Sequence, residues 1–225
     1  MTDQAAKARL TFFGTMTASL SHELKNVLAT INEFAGLLED LSVGGDPAAP
    51  PLPASKVHSI STRVLNQIKR GEALVKRLNR FAHSTDDRNG PIELNPLLGD
   101  FCDLGDRFVR LAQATLTRSF PPEEHLLELD PFALLQVLFQ ALRLALDELG
   151  PDRRIELVCT CSVSEGLAIR LTWPSSDRPP LAIETVRAQV GGAADLVPAA
   201  IKVFVEDGRQ GISLFAPSIC PLVYS

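Results

Sequence analysis

Apolar residues recur at alternating intervals of four and three along the first forty residues, at Leu20, Leu24, Val27, Ile31, Phe34, Leu38 and Leu41. An α-helix returns to the same face after three or four residues, so this spacing predicts one long helix over residues 3 to about 42 with a heptad seam. Gly44 and Gly45 follow at once and predict its end, because glycine readily terminates helices.

A second apolar stripe predicts a second helix from about Ser55 to about Ser84. The segment between the two helices is rich in proline, glycine and alanine and is expected to be a loop. Two helices joined in this way form an antiparallel hairpin, which leaves much of each apolar stripe in water. The pattern therefore predicts a homodimer in which two hairpins form a symmetric four-helix bundle.

The periodicity changes after a polar linker at residues 83–91. The later residues predict a mixture of short strands and helices, and the whole chain is α+β with an N-terminal helical domain (1–86) and a C-terminal α/β sandwich domain (87–225). Strands are predicted at 92–94, 125–130, 153–164, 166–174, 210–217 and 219–225, and helices at 96–114, 131–149, 181–191 and 195–206.

The 225 residues are 45% hydrophobic and carry a net charge of -5. We see no basic stripe and no apolar run of about 20 residues, which argues against nucleic acid and membrane as partners. The first residues show no signal-peptide pattern, so a cytoplasmic location is expected. The four cysteines, Cys102, Cys159, Cys161 and Cys220, lack zinc spacing and are interpreted as reduced, small apolar residues; no metal site is predicted.

The heptad phase places His22 at the position most remote from the seam. Residues three and four positions away share its face, and they are Ala18, Ser19, Lys25 and Asn26. Most exposed histidines on helices have no special role. Here the neighbouring side chains are mostly small, so they leave the imidazole open to a partner protein.

Residues next to His22 could support nucleophilic chemistry. An exposed imidazole has a pKa of about 6.5 and is largely neutral at pH 7, so it can attack an electrophile. A carboxylate such as Glu23 could hold the other ring nitrogen and fix the tautomer. Lys25 could offset the charge of a phosphoryl group, although a solvated surface lysine is the simpler interpretation.

The segment Ser21–Ile31, SHELKNVLATI, resembles the histidine-containing box of bacterial histidine kinases. The resemblance covers residues 8–84 and implies a dimerisation and phosphotransfer bundle. It implies that His22 carries the phosphoryl group, that Glu23 is its acid/base partner, and that Asn26 orients water for dephosphorylation of the partner. Val27 stands where that family prefers proline, so a straighter helix is expected.

The C-terminal domain resembles the GHKL-type ATP-binding sandwich of the same kinases, but without its ligand residues. Gln140 and Leu144 stand where the family has two asparagines, and leucine cannot ligate magnesium. WPSSDRPP stands where an Asp-x-Gly-x-Gly motif would follow a strand, and its prolines lack backbone N–H groups for phosphate. A glycine-rich lid is also missing; Gly191-Gly192 is interpreted as a helix end. These losses predict a degenerate domain without a nucleotide cofactor.

The combined pattern resembles dimeric histidine phosphotransferases, which relay phosphoryl groups between receiver domains of response regulators. The resemblance implies that His22 takes the group from one receiver aspartate and gives it to another, with magnesium supplied by the receivers. Two alternatives stay open: an atypical histidine kinase, and a non-catalytic scaffold or regulator of a two-component system. A receiver phosphatase that uses Asn26 could coexist with the first interpretation.

Overall fold

The computed structural model describes residues 3–43, 52–86, 90–123, 125–162, 166–175, 179–197 and 199–216. The elements in chain order are α1 (Asp3–Val43), α2 (Ala54–His83), β1 (Gly90–Glu93), α3 (Leu94–Leu111), β2 (Thr115–Ser119), β3 (Leu126–Leu129), α4 (Pro131–Glu148), β4 (Arg154–Ser162), β5 (Gly166–Pro174), α5 (Ile183–Val190), a 3-10 helix (Gly191–Leu196), β6 (Ala200–Glu206) and β7 (Arg209–Ala216). The predicted fold class, a helical hairpin followed by a mixed α/β domain, is confirmed.

The chain divides into two compact units. The first is Gly14–Arg80, and the second combines Met1–Phe13 with Phe81–Ser225. We call them the hairpin and the α/β unit. The predicted domain boundary at residue 86 stays a prediction.

The hairpin is an antiparallel pair formed by α1 and α2. Glu23 meets Arg70, whereas Phe34, further along α1, meets Arg63, which comes earlier in α2. Gly71 lies at a close approach of the helices, because a Cβ there would be 3.4 Å from Cγ1 of Val27.

The predicted heptad seam is only partly covered within one hairpin. Leu20 and Val27 are buried, but other seam residues are half-buried, namely Leu24, Ile31, Phe34, Leu38 and Leu41. Large apolar side chains are also exposed on both helices: Leu28, Leu37, Val57, Leu65, Ile68 and Val75. One hairpin therefore leaves an extensive apolar surface in water.

The α/β unit contains a five-stranded sheet in the order β2-β4-β5-β7-β6. β2 runs parallel to β4 and the other neighbours are antiparallel. Leu157, Leu171 and Ile212 lie side by side on neighbouring strands and are buried. α3 packs against β2, α4 against β5 and α5 against β6. A separate antiparallel pair joins β1 and β3.

α4 is the central helix of this unit, with 13 of its 18 residues buried. It begins as the sequence predicts, because Asp130 caps it and Pro131 opens its first turn. Asp130 Oδ1 accepts a hydrogen bond from the Ala133 N–H at 3.0 Å, and Asp130 Oδ2 forms an ion pair with Arg9 Nη1 at 2.7 Å. Within the same unit, Phe12 packs against a cluster of aromatic rings: Phe81, Phe132 and Phe139.

Three predictions differ from the structure. The helix predicted at 195–206 is wrong, because residues 200–206 pair with β7 as strand β6, whose β-branched Ile201, Val203 and Val205 alternate as in a strand. The edge strand β2 was not predicted, since Thr115–Ser119 is short and mostly exposed. The expectation that the chain has no basic stripe is also wrong, because α2 carries seven Lys and Arg residues and one Glu. The expected Gly44-Gly45 helix end, Cys220 and the strand at 219–225 lie outside the described residues.

Candidate functional site

His22 lies in the middle of α1, with its side chain exposed. A polar neighbour contacts the ring: Asn26 Nδ2 is 3.3 Å from His22 Nδ1. Asn26 is one helical turn further on and also exposed, so the contact follows directly from the i, i+4 spacing. The imidazole is thus accessible to solvent while its Nδ1 atom contacts Asn26.

The contact with Asn26 bears on the tautomer of His22. With the amide nitrogen at Nδ1, the amide donates and the ring proton sits on Nε2. With the amide turned over, Asn26 Oδ1 accepts from Nδ1–H and the lone pair is left on Nε2. The second arrangement prepares Nε2 as the nucleophile.

Glu23 faces the neighbouring helix. Its side chain is buried, and Oε2 is 3.5 Å from Nη2 of the half-exposed Arg70. The contact made to the imidazole thus comes from Asn26, and the predicted acid/base role of Glu23 stays a prediction. Arg70 was not singled out in the sequence, although it stands seven residues from both Arg63 and Arg77, and this regular spacing was a usable signal.

The other predicted contact residues divide into two groups. Ala18 and Lys25 are exposed near His22, as expected for a surface that receives a partner. Ser19 is 7% exposed and lies towards the covered side of α1. Ala18 and Lys25 can therefore contact a partner more readily than Ser19 can.

In the α/β unit, the two α4 positions at which the resemblance expects asparagines differ in burial. Leu144 is buried, and Gln140 is half-buried. The Gln140 Oε1 atom has no hydrogen-bond partner among the described residues. α5 and the 3-10 helix also pack against α4 and bury Val186, Val190 and Ala193.

The end of β5 is also occupied by a core side chain. Trp173 is fully buried and pairs across the sheet with Gln210. It directly precedes Pro174, at the place where the resemblance expects the Asp-x-Gly-x-Gly motif. Gly191 ends α5 at a φ of 57°, in agreement with its interpretation as a helix terminator.

The described cysteines behave as apolar residues. Burial raises the pKa of Cys102 to about 11, and burial together with neighbouring Cys161 raises the pKa of Cys159 to about 12. Both thiols are therefore protonated near neutral pH and poor nucleophiles. Cys102 and Cys159 are present as thiols, in agreement with the prediction of reduced cysteines.

No protein-family model matches the chain. The sensor protein FixL of Bradyrhizobium diazoefficiens is 30% identical over 154 residues, which is 68% of this chain and 30% of FixL. The chain therefore spans less than a third of the length of that curated relative.

The solved structures that are similar to this chain include histidine kinases. Acinetobacter baumannii histidine kinase AdeS has a TM-score of 0.46 at 13% identity, over 88% of this chain and 98% of that chain. The chain is similar to histidine kinases. ThkA, in complex with response regulator protein TrrA, has a TM-score of 0.48 at 15% identity, over 94% of this chain and 63% of that chain. A bacterial phosphotransferase has a TM-score of 0.44 at 13% identity, over 91% of this chain and 96% of that chain.

Among the described residues, no helix is both long and apolar enough to cross a bilayer. Within the same residues, no group of three or more His, Cys, Asp and Glu side chains is arranged to hold a metal ion.

Proposed function

We propose that this chain is a histidine phosphotransferase that relays phosphoryl groups between receiver domains of a two-component phosphorelay. The observation that carries the proposal is the exposed His22 imidazole with Nδ1 in contact with Asn26. Nε2 attacks the phosphorus of an aspartyl phosphate, the P–N bond forms, and the aspartate leaves as a carboxylate. A carboxylate of the second receiver then attacks the phosphohistidine and regenerates the free imidazole.

Positioning does most of the work in such a transfer. Asn26 orients the ring, Lys25 offsets phosphoryl charge, and Ala18 leaves room for the partner. Magnesium is supplied by the receivers, where carboxylates hold it beside the phosphoryl group. Glu23 pairs with Arg70, and its role as acid/base partner of the imidazole remains part of the proposal.

The α/β unit supports transfer rather than ATP-dependent phosphorylation. Leu144 has no oxygen for magnesium, and its side chain is buried. The fully buried Trp173 and the proline after it stand where a phosphate-binding loop would begin. The proposal therefore assigns no nucleotide cofactor to this chain.

We further propose that the protein acts as a homodimer in the cytoplasm. The exposed apolar side chains of the hairpin support a four-helix bundle, because a second copy would cover them. Receiver domains would then approach from outside the bundle, where His22 is exposed.

The decisive experiment compares two sources of phosphate. Purified protein is mixed with radiolabelled ATP and, separately, with a panel of phosphorylated receiver domains, and acid-labile label on the protein is measured. We expect label from at least one receiver, none from ATP, and complete loss in His22→Ala. His58→Ala, a change at an exposed histidine of α2, is the matched control and is expected to retain labelling.

Each contrary result identifies a different function. Labelling from ATP alone would establish the atypical kinase. Tight receiver binding without any phosphoryl uptake would establish the non-catalytic scaffold. Relay of label by His22→Ala would remove His22 from the mechanism.

A further inference from the structure

Arg70 crosses the groove between α1 and α2 beside the candidate histidine. Its Nη2 atom is 3.5 Å from Oε2 of Glu23, the residue that follows His22. The side chain of Glu23 is 11% exposed, whereas that of Arg70 is 51% exposed. The guanidinium therefore meets a buried carboxylate at one end, while about half of the Arg70 side chain remains open to solvent.

A close approach of the two helices brings Arg70 to this level. Gly71 directly follows Arg70, and a Cβ atom on Gly71 would lie 3.4 Å from Cγ1 of Val27 and 3.8 Å from Cδ1 of Leu24. Both contacted residues lie within about one and a half helical turns of His22. The missing side chain at position 71 thus lets the backbone of α2 approach α1 close to the histidine.

The angular order of side chains around α1 shows which flank Arg70 borders. Successive residues of an α-helix are about 100° apart, so Asn26 lies about 60° from Glu23, and His22 lies about 40° beyond Asn26. This arc begins at the buried Glu23 and ends at the exposed Asn26 and His22. Arg70 contacts the Glu23 end of the arc, so its guanidinium borders the same flank of α1 as the imidazole.

This flank stays open in the proposed dimer. Ile68 and Val75, two of the exposed apolar residues that a second copy would cover, lie two residues before and five residues after Arg70. Their side chains therefore point about 160° and about 140° away from Arg70 around α2. A second copy that covers them leaves Arg70 accessible.

We propose that Arg70 is a catalytic residue that binds the phosphoryl oxygens during transfer to and from His22. This role rests on the proposed function. In the transfer, the Nε2 lone pair forms the P–N bond while the P–O bond to the receiver aspartate breaks, and its electron pair leaves on the carboxylate. The Nδ1 proton stays on the ring, which becomes positively charged, and Arg70 donates hydrogen bonds without losing a proton.

The chemistry of the guanidinium suits this role. A transferring phosphoryl group spreads its negative charge over three oxygens, and a guanidinium presents N–H donors in a planar fork that matches such oxygens. The contact with Glu23 involves Nη2, and the Nε and Nη1 atoms of the fork carry further donors. Glu23 thus holds the guanidinium in place before the phosphoryl group arrives, so that less reorganisation is needed during transfer.

The test measures single-turnover phosphoryl uptake from the panel of phosphorylated receivers by Arg70→Gln, Arg70→Lys and a matched control. Arg63→Gln is the control, because Arg63 stands seven residues earlier on the same face of α2, roughly two turns from Arg70. The Arg63 guanidinium carbon lies 5.7 Å from the centre of the Phe34 ring. Circular dichroism and urea unfolding check that each variant retains its fold.

We expect Arg70→Gln to lower the first-order rate at saturating receiver by about 10- to 100-fold, because hydrogen bonds to a charged transition state are lost. The receiver concentration that gives half of this rate should change by less than about two-fold, because the lost contact acts on transfer rather than on binding. Arg70→Lys should show an intermediate loss, because an ammonium keeps the charge but lacks the fork. Arg63→Gln should transfer as wild type.

A double-mutant cycle separates this role from a purely structural one, in which Arg70 only anchors Glu23. The Glu23→Gln background has no carboxylate to anchor, so a structural role predicts that Arg70→Gln causes no further loss there. A contact with the phosphoryl group predicts the same fold-loss as in the wild-type background.

Three results would overturn the catalytic role of Arg70 while the proposed function stands: an unchanged saturated rate in Arg70→Gln, a loss that disappears in the Glu23→Gln background, or an equal loss in Arg63→Gln. A loss confined to the second-order rate constant would also overturn it, because Arg70 would then act on encounter. If no receiver labels the wild type, the proposed function fails and the role of Arg70 fails with it.

Discussion

The proposed homodimer can be tested at two apolar side chains on α2. Ile68 and Val75 are separated by seven residues, share one face of the helix, and are 41% and 43% exposed. Both are exposed, although Leu74 next to Val75 and Gly71 three residues after Ile68 are buried. The perturbation is the double truncation Ile68→Ala with Val75→Ala.

The magnitude follows from the exposed fractions. Complete burial of a Val or Ile side chain is worth about 1.5–3 kcal/mol, so covering the remaining two-fifths contributes about 1 kcal/mol for each. A two-fold dimer covers four such side chains, and truncation to alanine retains their Cβ atoms. The double variant should therefore weaken the dimer by about 3 kcal/mol, or about 100-fold in Kd.

Sedimentation equilibrium over a range of protein concentrations measures the dimer Kd directly. The matched control is Leu111→Ala with Val205→Ala in the α/β unit, where the side chains are 70% and 50% exposed. This control removes similar apolar surface, yet it should leave Kd unchanged. The reasoning is refuted if the wild type stays monomeric at high concentration, or if both double variants change Kd equally.

Two further predictions concern the stability of the α/β unit. Arg9→Met should destabilise it by about 3 kcal/mol, because the substitution leaves Asp130 buried without its ion-pair partner; urea unfolding measures the loss, and an unchanged midpoint would contradict it. Gly105→Ala should destabilise the unit, because a Cβ would lie 2.7 Å from Leu142 Cδ2. Gly99→Ala in the same helix is the control, and it should stabilise by up to about 1 kcal/mol, because its Cβ meets nothing closer than 3.9 Å; equal thermal shifts in the two variants would refute the steric argument.

Much of the fold could be predicted from periodicity, because the buried face of a long amphipathic helix is visible in the sequence as apolar residues that recur every three or four positions. α4 was recognisable from its apolar content and from the Asp130-Pro131 start. β6 was not, since the same Ile201, Val203 and Val205 pattern becomes a strand through pairing with β7, which is a tertiary contact. Short apolar runs remain ambiguous between helix and strand until their partners are known.

At the candidate site, the sequence predicted which side chain is exposed better than it predicted which side chains contact each other. The heptad phase put His22 on the outside of the helix, where the structure has it. It could not show that Glu23 faces Arg70, because that depends on how α2 is aligned with α1. The i, i+4 partner Asn26 was within reach of sequence reasoning, whereas the ion pair between helices was not.

An exposed histidine does not by itself separate a kinase from a phosphotransferase, so the distinction depends on α4. A nucleotide site needs polar side chains of this helix to face a cavity and ligate magnesium through oxygen. Here 13 of 18 residues are buried, and Leu144 is among them. An asparagine at that position would bury an amide, which costs about 1–3 kcal/mol when its hydrogen bonds are unmade. The same helix face cannot serve both as apolar core and as a magnesium-binding surface, which is why we favour transfer between receivers over phosphorylation by ATP.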